Sequence, residues 1–163
     1  MNIIKAEKSD FVEVWYLLEV HSREMRKKGW IIPDFNFDLI KTEVFTGNAW
    51  VFRNKENVCL GTLIFSSLFP DHNPPVPFQS QHPLFVQNLV VHPEGKNMDV
   101  LTHLLSFAEE FAKTNGYTSI CFDIFSKNQA LIDFCNQQKY QQKGDFLIDD
   151  QKIPFYSFEK MLH

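Results

Sequence analysis

The chain is short of the residues that announce the commoner chemistries. Its three cysteines, Cys59, Cys121 and Cys135, are odd in number, widely spaced and set in apolar runs. That excludes a disulfide framework and a Cys-x-x-Cys redox or zinc motif, and it reads as buried free thiols in a reducing compartment. No apolar run is long enough to span a bilayer, and the opening MNIIKAEKSD lacks the apolar stretch of a secretory leader. The expectation is a cytoplasmic protein with no membrane partner. Basic residues are outnumbered, with 16 Lys and Arg against 20 Asp and Glu, a formal net charge of -4. A general nucleic-acid binder carries a basic face, so no nucleic-acid partner is expected. Six glycines form neither a Walker loop nor a Gly-x-Ser-x-Gly elbow. His72, His82 and His92 lack the i, i+4 spacing of a helical metal pair, and no metal is expected.

What is present is apolar and aromatic. Hydrophobic residues make up 44% of 163, with 17 phenylalanines, enough for one packed core in a single domain over 1–163. Phenylalanine at this frequency favours strands and aromatic packing. Asn2 to Lys5 reads as a short strand. Asp10 with Glu13 has the spacing of a capping box, and Phe11, Val14, Trp15 and Leu18 follow at helical intervals until Gly29. A second helix is expected from about Phe37 to Phe45, with Gly47 beyond its end. NAWVFRNKENVCLGTLIFSSL is a hairpin, two β-rich runs around the polar turn NKEN. Phe69 to Pro83 contains Pro70, Pro74, Pro75, Pro77 and Pro83. Few regular elements tolerate that density, so it reads as a long surface loop of the kind that is often functional.

LFVQNLVV is a strand, and the helix after it carries Leu101, Leu104, Leu105, Ala108, Phe111 and Ala112 along one stripe before Gly116. TSICFDIF is apolar on both faces, as in a buried parallel strand. Asn128 opens a last helix, and YQQKGDFLI, the turn DDQK and IPFYSFEKML close the chain as a hairpin. The order implies an α/β (α+β) fold, one mixed sheet with helices on both faces.

This order and several phrases resemble the GNAT superfamily of acetyl-CoA-dependent N-acyltransferases. LVVHPEG, continuing to LLSFAEEFAKTNGYTSICFDI, is similar to that family's central strand–loop–helix–strand. Asn128, with an apolar helix ending in Lys139-Tyr140, resembles its phrase of Asn, helix, Lys-Leu-Gly-Phe. IPFYSFEKML resembles the last strand of a bacterial subgroup. The resemblance spans essentially the whole chain. It implies a single, mostly antiparallel sheet whose central parallel strands, Leu84–Val91 and Thr118–Phe125, splay to admit acetyl-CoA as cosubstrate. The acceptor it implies is a small-molecule amine acetylated by direct transfer, with a homodimer as a candidate assembly.

The resemblance also distributes roles. Backbone groups of Leu89, Val90 and Val91 would pair with the pantetheine arm. The pyrophosphate would rest on the helix N-terminus, where amides and dipole favour anions. The family writes that turn Gln/Arg-x-x-Gly-x-Gly/Ala, which falls here on Lys96, Asn97, Met98, Asp99, Val100 and Leu101. Asp99 sets a carboxylate where the ligand carries its charge, and it is also a good helix cap; Leu101 fills space that Gly or Ala leaves open. Asn128 and Phe134 complete the implied cofactor contacts. The helix position that often bears an acidic Tyr is Cys135, and the strand position that often bears a base is Gln87, which cannot act as one. The proline-rich loop offers Asp71, His72 and His82 instead, and Trp30 stands where a related subgroup places a substrate-facing aromatic. The alternative function is a catalytically impaired protein of this fold that binds a small molecule or partner without acyl transfer.

Overall fold

The structure is a computed structural model that describes residues 2–72, 74–93, 98–148 and 152–163. Seven strands are hydrogen-bonded in the order β1-β2-β3-β4-β5-β7-β6. In chain order they are β1 (Asn2–Lys5), β2 (Ala49–Arg53), β3 (Cys59–Ser66), β4 (Pro83–Val91), β5 (Ser119–Phe125), β6 (Gln141–Phe146) and β7 (Phe155–Met161). Four α-helices lie among the described residues: α1 (Phe11–Lys27), α2 (Phe37–Thr46), α3 (Met98–Thr114) and α4 (Gln129–Gln137). The sheet is mostly antiparallel with one parallel pair, β4 with β5. Gly29, Gly47 and Gly116 follow the ends of α1, α2 and α3 at φ of 73°, 80° and 78°, the left-handed conformation in which helices commonly stop. The chain forms two compact units, one from Met1–Phe65 and Gln87–Ala108, the other from Ser66–Val86 and Glu109–His163.

In the first unit β1, β2 and β3 form an antiparallel meander. Alternation along β2 divides its side chains between two faces. Ala49 and Val51 join a core with Phe11, Val14, Leu17 and Leu18 of α1 and Ile40 and Val44 of α2. Trp50 and Phe52 turn the other way, onto Phe107 and His103 of α3, at ring-centroid separations of 4.8 and 5.8 Å. This unit therefore carries helices on both faces. Gly61 of β3 makes the α3 side close: a Cβ there would lie 2.9 Å from Leu104 Cδ1 and 3.2 Å from both Val100 Cγ1 and the Val90 carbonyl oxygen. The expected capping box of Asp10 and Glu13 does not form. Asp10 accepts instead from the Glu7 amide at 2.7 Å. Arg53, only 8% exposed, draws in both carboxylates, with Nη2 at 2.9 Å from Asp10 Oδ1 and 2.5 Å from Glu13 Oε2. A buried guanidinium needs such partners more than a helix end needs a second cap.

In the second unit β7 lies between β5 and β6, antiparallel to both. Tyr156, Phe158 and Lys160 of β7 point to one face, where Lys160 and the Tyr140 hydroxyl both reach Glu109 of α3 at 2.8 Å. Phe155, Ser157 and Glu159 point to the other, which the loop before β4 covers. Pro83 begins β4 rather than closing that loop.

Candidate active site

The loop's imidazole is seated in a hydrogen-bonded chain that the sequence did not reveal. His72 Nε2 lies 2.9 Å from Asp123 Oδ2, and Ser157 Oγ donates to Asp123 Oδ1 at 2.6 Å. Asp123 and Ser157 are register partners across β5 and β7, so their side chains share a face. The His72 side chain is 4% exposed and the Asp123 side chain 29%. The rings of Phe146 and Phe78 lie 4.1 and 5.9 Å from the imidazole. β5 is thus not apolar on both faces: Asp123 is its one exposed position. It was hidden by the apolar residues on either side, and His72 lies 51 residues away in sequence.

A second carboxylate holds the loop in place. Glu159, 1% exposed, accepts from the backbone amides of Gln79 and Ser80 at 2.7 and 2.9 Å and from Ser119 Oγ at 3.0 Å. Lys143 Nζ adds a counter-charge 3.7 Å away. A register shift between Gln142 and Gly144 marks a bulge in β6 beside this lysine.

The ends of β4 and β5 carry the remaining backbone features. The parallel pairing covers Pro83–Phe85 against Ser119–Cys121, while the strands continue to Val91 and Phe125. Asn88 stands in β4 at φ 49°, a left-handed conformation that Asn tolerates better than most residues and that interrupts strand pairing. Leu89, Val90 and Val91 follow it, with Val90 only 2% exposed.

The profile of the acetyltransferase (GNAT) family matches residues 10–140, most of the chain. The chain belongs to the GNAT family of acetyltransferases. It is an acyltransferase. No curated protein matches it, but solved structures share the fold over nearly its full length. A GNAT-family acetyltransferase from Listeria monocytogenes superposes with a TM-score of 0.79 at 15% identity, covering 99% of this chain and 94% of that one. One from Streptococcus agalactiae gives 0.80 at 14%, covering 99% and 95%. The protein yncA from Salmonella typhimurium, solved with its cofactor acetyl-CoA, gives 0.73 at 15%, covering 100% and 94%.

The GNAT family uses acetyl-CoA, and the residues here fit it in most respects. Lys96 and Asn97 of the phosphate turn lie outside the described residues. Met98 begins α3, so Asp99 lies within the first turn, exposed, and not at the cap. The first-turn amides of a helix generally lack intrahelical partners, and the dipole there favours an anion. Val100 and Leu101 are 5% and 9% exposed, their side chains spent on the core and not on the outer surface of the turn. Among the described residues of the turn, Asp99 is the one whose charge opposes an anion. Asn128 uses its side chain to cap α4, accepting from the Leu131 amide at 3.4 Å, and Phe134 is buried at 6%.

His82 is exposed just before β4, stacked on Tyr117 at 4.8 Å, with four residues of β4 between it and Gln87. Asp71 is exposed beside His72 in sequence, and Gln87 is partly exposed in β4. Cys135 is wholly buried in α4, and burial pushes its thiol up to about 12. A thiol so weakly acidic stays protonated at neutral pH and gives up its proton poorly. Trp30 follows α1, partly buried, with Lys28 Nζ 4.7 Å from its ring centroid. Among the described residues no group of three or more His, Cys, Asp or Glu could hold a metal ion, and no helix is long and apolar enough to cross a membrane.

Proposed function

We propose that this protein transfers an acetyl group from acetyl-CoA directly to a primary amine of a small molecule. When bound, acetyl-CoA supplies an activated acetyl thioester. The backbone of Leu89–Val91 and the first-turn amides of α3 are the groups that would hold it. His72 takes the proton that the attacking amine must lose, directly or through water, as the new C–N bond forms and the C–S bond breaks. Asp123, 2.9 Å from its ring, fixes the orientation of the imidazole and stabilises the imidazolium. Cys135 has no part in this reaction. The thiols Cys59, Cys121 and Cys135 are free and buried, which supports the cytoplasm as the compartment.

The observation that carries the reading is the His72–Asp123–Ser157 chain within a GNAT acetyltransferase. A nucleophile cannot be the purpose of this chain, because Ser157 donates to the carboxylate and not to the imidazole. A hydrogen-bonded imidazole supports a positioned base, and proton transfer is what an amine acceptor requires. The test is incubation of the protein with acetyl-CoA and a panel of primary amines, with mass spectrometry of the products and titration of released thiol. One N-acetylated product per thiol released supports the reading. Thiol release without an acetylated amine, or no reaction across the panel, contradicts it.

A further inference from the structure

The face of β5, β7 and β6 beneath the proline-rich loop carries two carboxylates in contrasting states. Glu159 is sealed. Two backbone amides and a hydroxyl occupy its oxygens, a lysine stands beside it, and its side chain is 0% exposed. Everything about it is explained by holding the loop. Asp123 is different. It accepts two hydrogen bonds, one on each oxygen, where a carboxylate has about four acceptor positions. Its side chain is 29% exposed, yet the groups that brace it are not: the His72 side chain is 4% exposed and Ser157 is 0%. Among the described residues, His72 is the one titratable group in hydrogen-bond contact with Asp123. The result is a carboxylate of fixed orientation, with acceptor capacity to spare, at the one exposed position of β5.

Its surroundings are aromatic. Phe125 lies two residues further along β5, on the same face, and is the register partner of Phe155. The Phe125 and Phe155 rings are 5.3 Å apart, and Phe146 of β6 lies 5.8 Å from Phe155. Phe155 is only partly buried. A carboxylate beside phenylalanine rings suits an organic ammonium ion: the charge meets the carboxylate, and the ring faces favour the cation and its hydrocarbon body.

We infer that Asp123 anchors the acceptor's ammonium group, so that the acceptors are compact primary ammonium compounds with an apolar body and no carboxylate next to the nitrogen. The inference rests on the acetyltransferase reading and names the substrate class of that site. Ser157 is a positioning residue in it, since it touches Asp123 and not the acceptor. A carboxylate on the carbon bearing the amine is brought against Asp123 and repelled, which separates these acceptors from α-amino acids. Holding the ammonium at Asp123 also places it beside the imidazole assigned to receive its proton.

The experiment is calorimetric binding in the presence of CoA, which needs no turnover and so is separate from the test of acetyl transfer. Phenethylammonium chloride, 2-phenylethanol and phenylalanine are titrated into the parent protein and into Asp123→Asn. The expected result is binding of the amine by the parent, with the alcohol and the amino acid each weaker by about 10–100-fold, the worth of a charge-assisted hydrogen bond. Asp123→Asn should lose the preference for amine over alcohol. Ser157→Ala should raise KM for the amine more than it lowers kcat. The inference is overturned if the parent binds no amine or binds the alcohol as tightly, or if folded Asp123→Asn keeps the parent affinity for the amine. Should Asp123→Asn not fold, the comparison of the three ligands on the parent decides alone.

Discussion

At the scale of single residues, the account turns on two histidines that the sequence could not tell apart. Both follow prolines or precede them, and both lie in or next to the same loop. Burial separates them: His72 is 7% exposed and bound to Asp123, while His82 lies exposed on Tyr117. A base is useful only when its orientation is fixed, and of the two it is His72 whose ring is hydrogen-bonded to a carboxylate. His72→Gln is therefore expected to lower kcat by about a hundredfold with little change in acetyl-CoA affinity, and His82→Gln to leave both as they are. Steady-state kinetics on the pair checks this, and equal losses in the two variants would contradict the assignment. Lys139 makes a different kind of residue-level claim. It sits at φ 65° after α4, in the left-handed conformation that glycine supplies at the ends of the other three helices. The Tyr140 amide still closes the turn onto the Cys135 carbonyl at 2.9 Å, so the motif forms in spite of the side chain. Lys139→Gly should remove that strain and stabilise the fold by about 0.5–1 kcal/mol, read as a higher midpoint in urea.

At the scale of elements, the proline-rich loop is ordered from two sides. Its prolines restrict it before folding, and Glu159 fixes it afterwards through the amides of Gln79 and Ser80. Glutamine at this position keeps the shape but turns an N–H group toward donors. Glu159→Gln is expected to cost about 2–4 kcal/mol and to speed hydrogen exchange at the Gln79 and Ser80 amides. A variant with the parent's stability and exchange rates would show that the prolines alone hold the loop. Most elements were legible in the sequence because their signals are local. Gly29, Gly47 and Gly116 ended the helices where the chain ends them, and NKEN turned the β2–β3 hairpin. The capping box of Asp10 and Glu13 was misread because its competitor, Arg53, comes from a strand about 40 residues on.

At the scale of the whole molecule, the order of elements was enough to reach the fold and the family, but not to assemble the site. A fold of this kind is specified by periodicity and turns repeated along the chain. The site is specified by contacts between distant segments, and neither Asp123 nor Glu159 shows a signal in its own neighbourhood. Asp123 looks like a stray polar residue in an apolar strand until His72 and Ser157 are brought to it, and Glu159 like an ordinary surface acid until the loop amides arrive. The phosphate turn presents the reverse case. Its departures were plain in the sequence, and Leu101, which there fills the space of a Gly or Ala and lies on the apolar stripe of the helix, is buried.

That leaves Asp99 as the only described residue of the turn that opposes the ligand, against the amides of α3 that favour it. The central claim is that the balance still permits acetyl-CoA to bind. The most direct measurement is the unfolding free energy of the protein, by urea titration, with and without acetyl-CoA over a wide concentration range. A ligand of the native state raises that free energy continuously with concentration, by about 2.7 kcal/mol at a hundred times its dissociation constant. The account predicts such a rise with acetyl-CoA and a smaller one with pantetheine, which lacks the pyrophosphate. No rise at millimolar acetyl-CoA, in a protein that unfolds cooperatively, would contradict it.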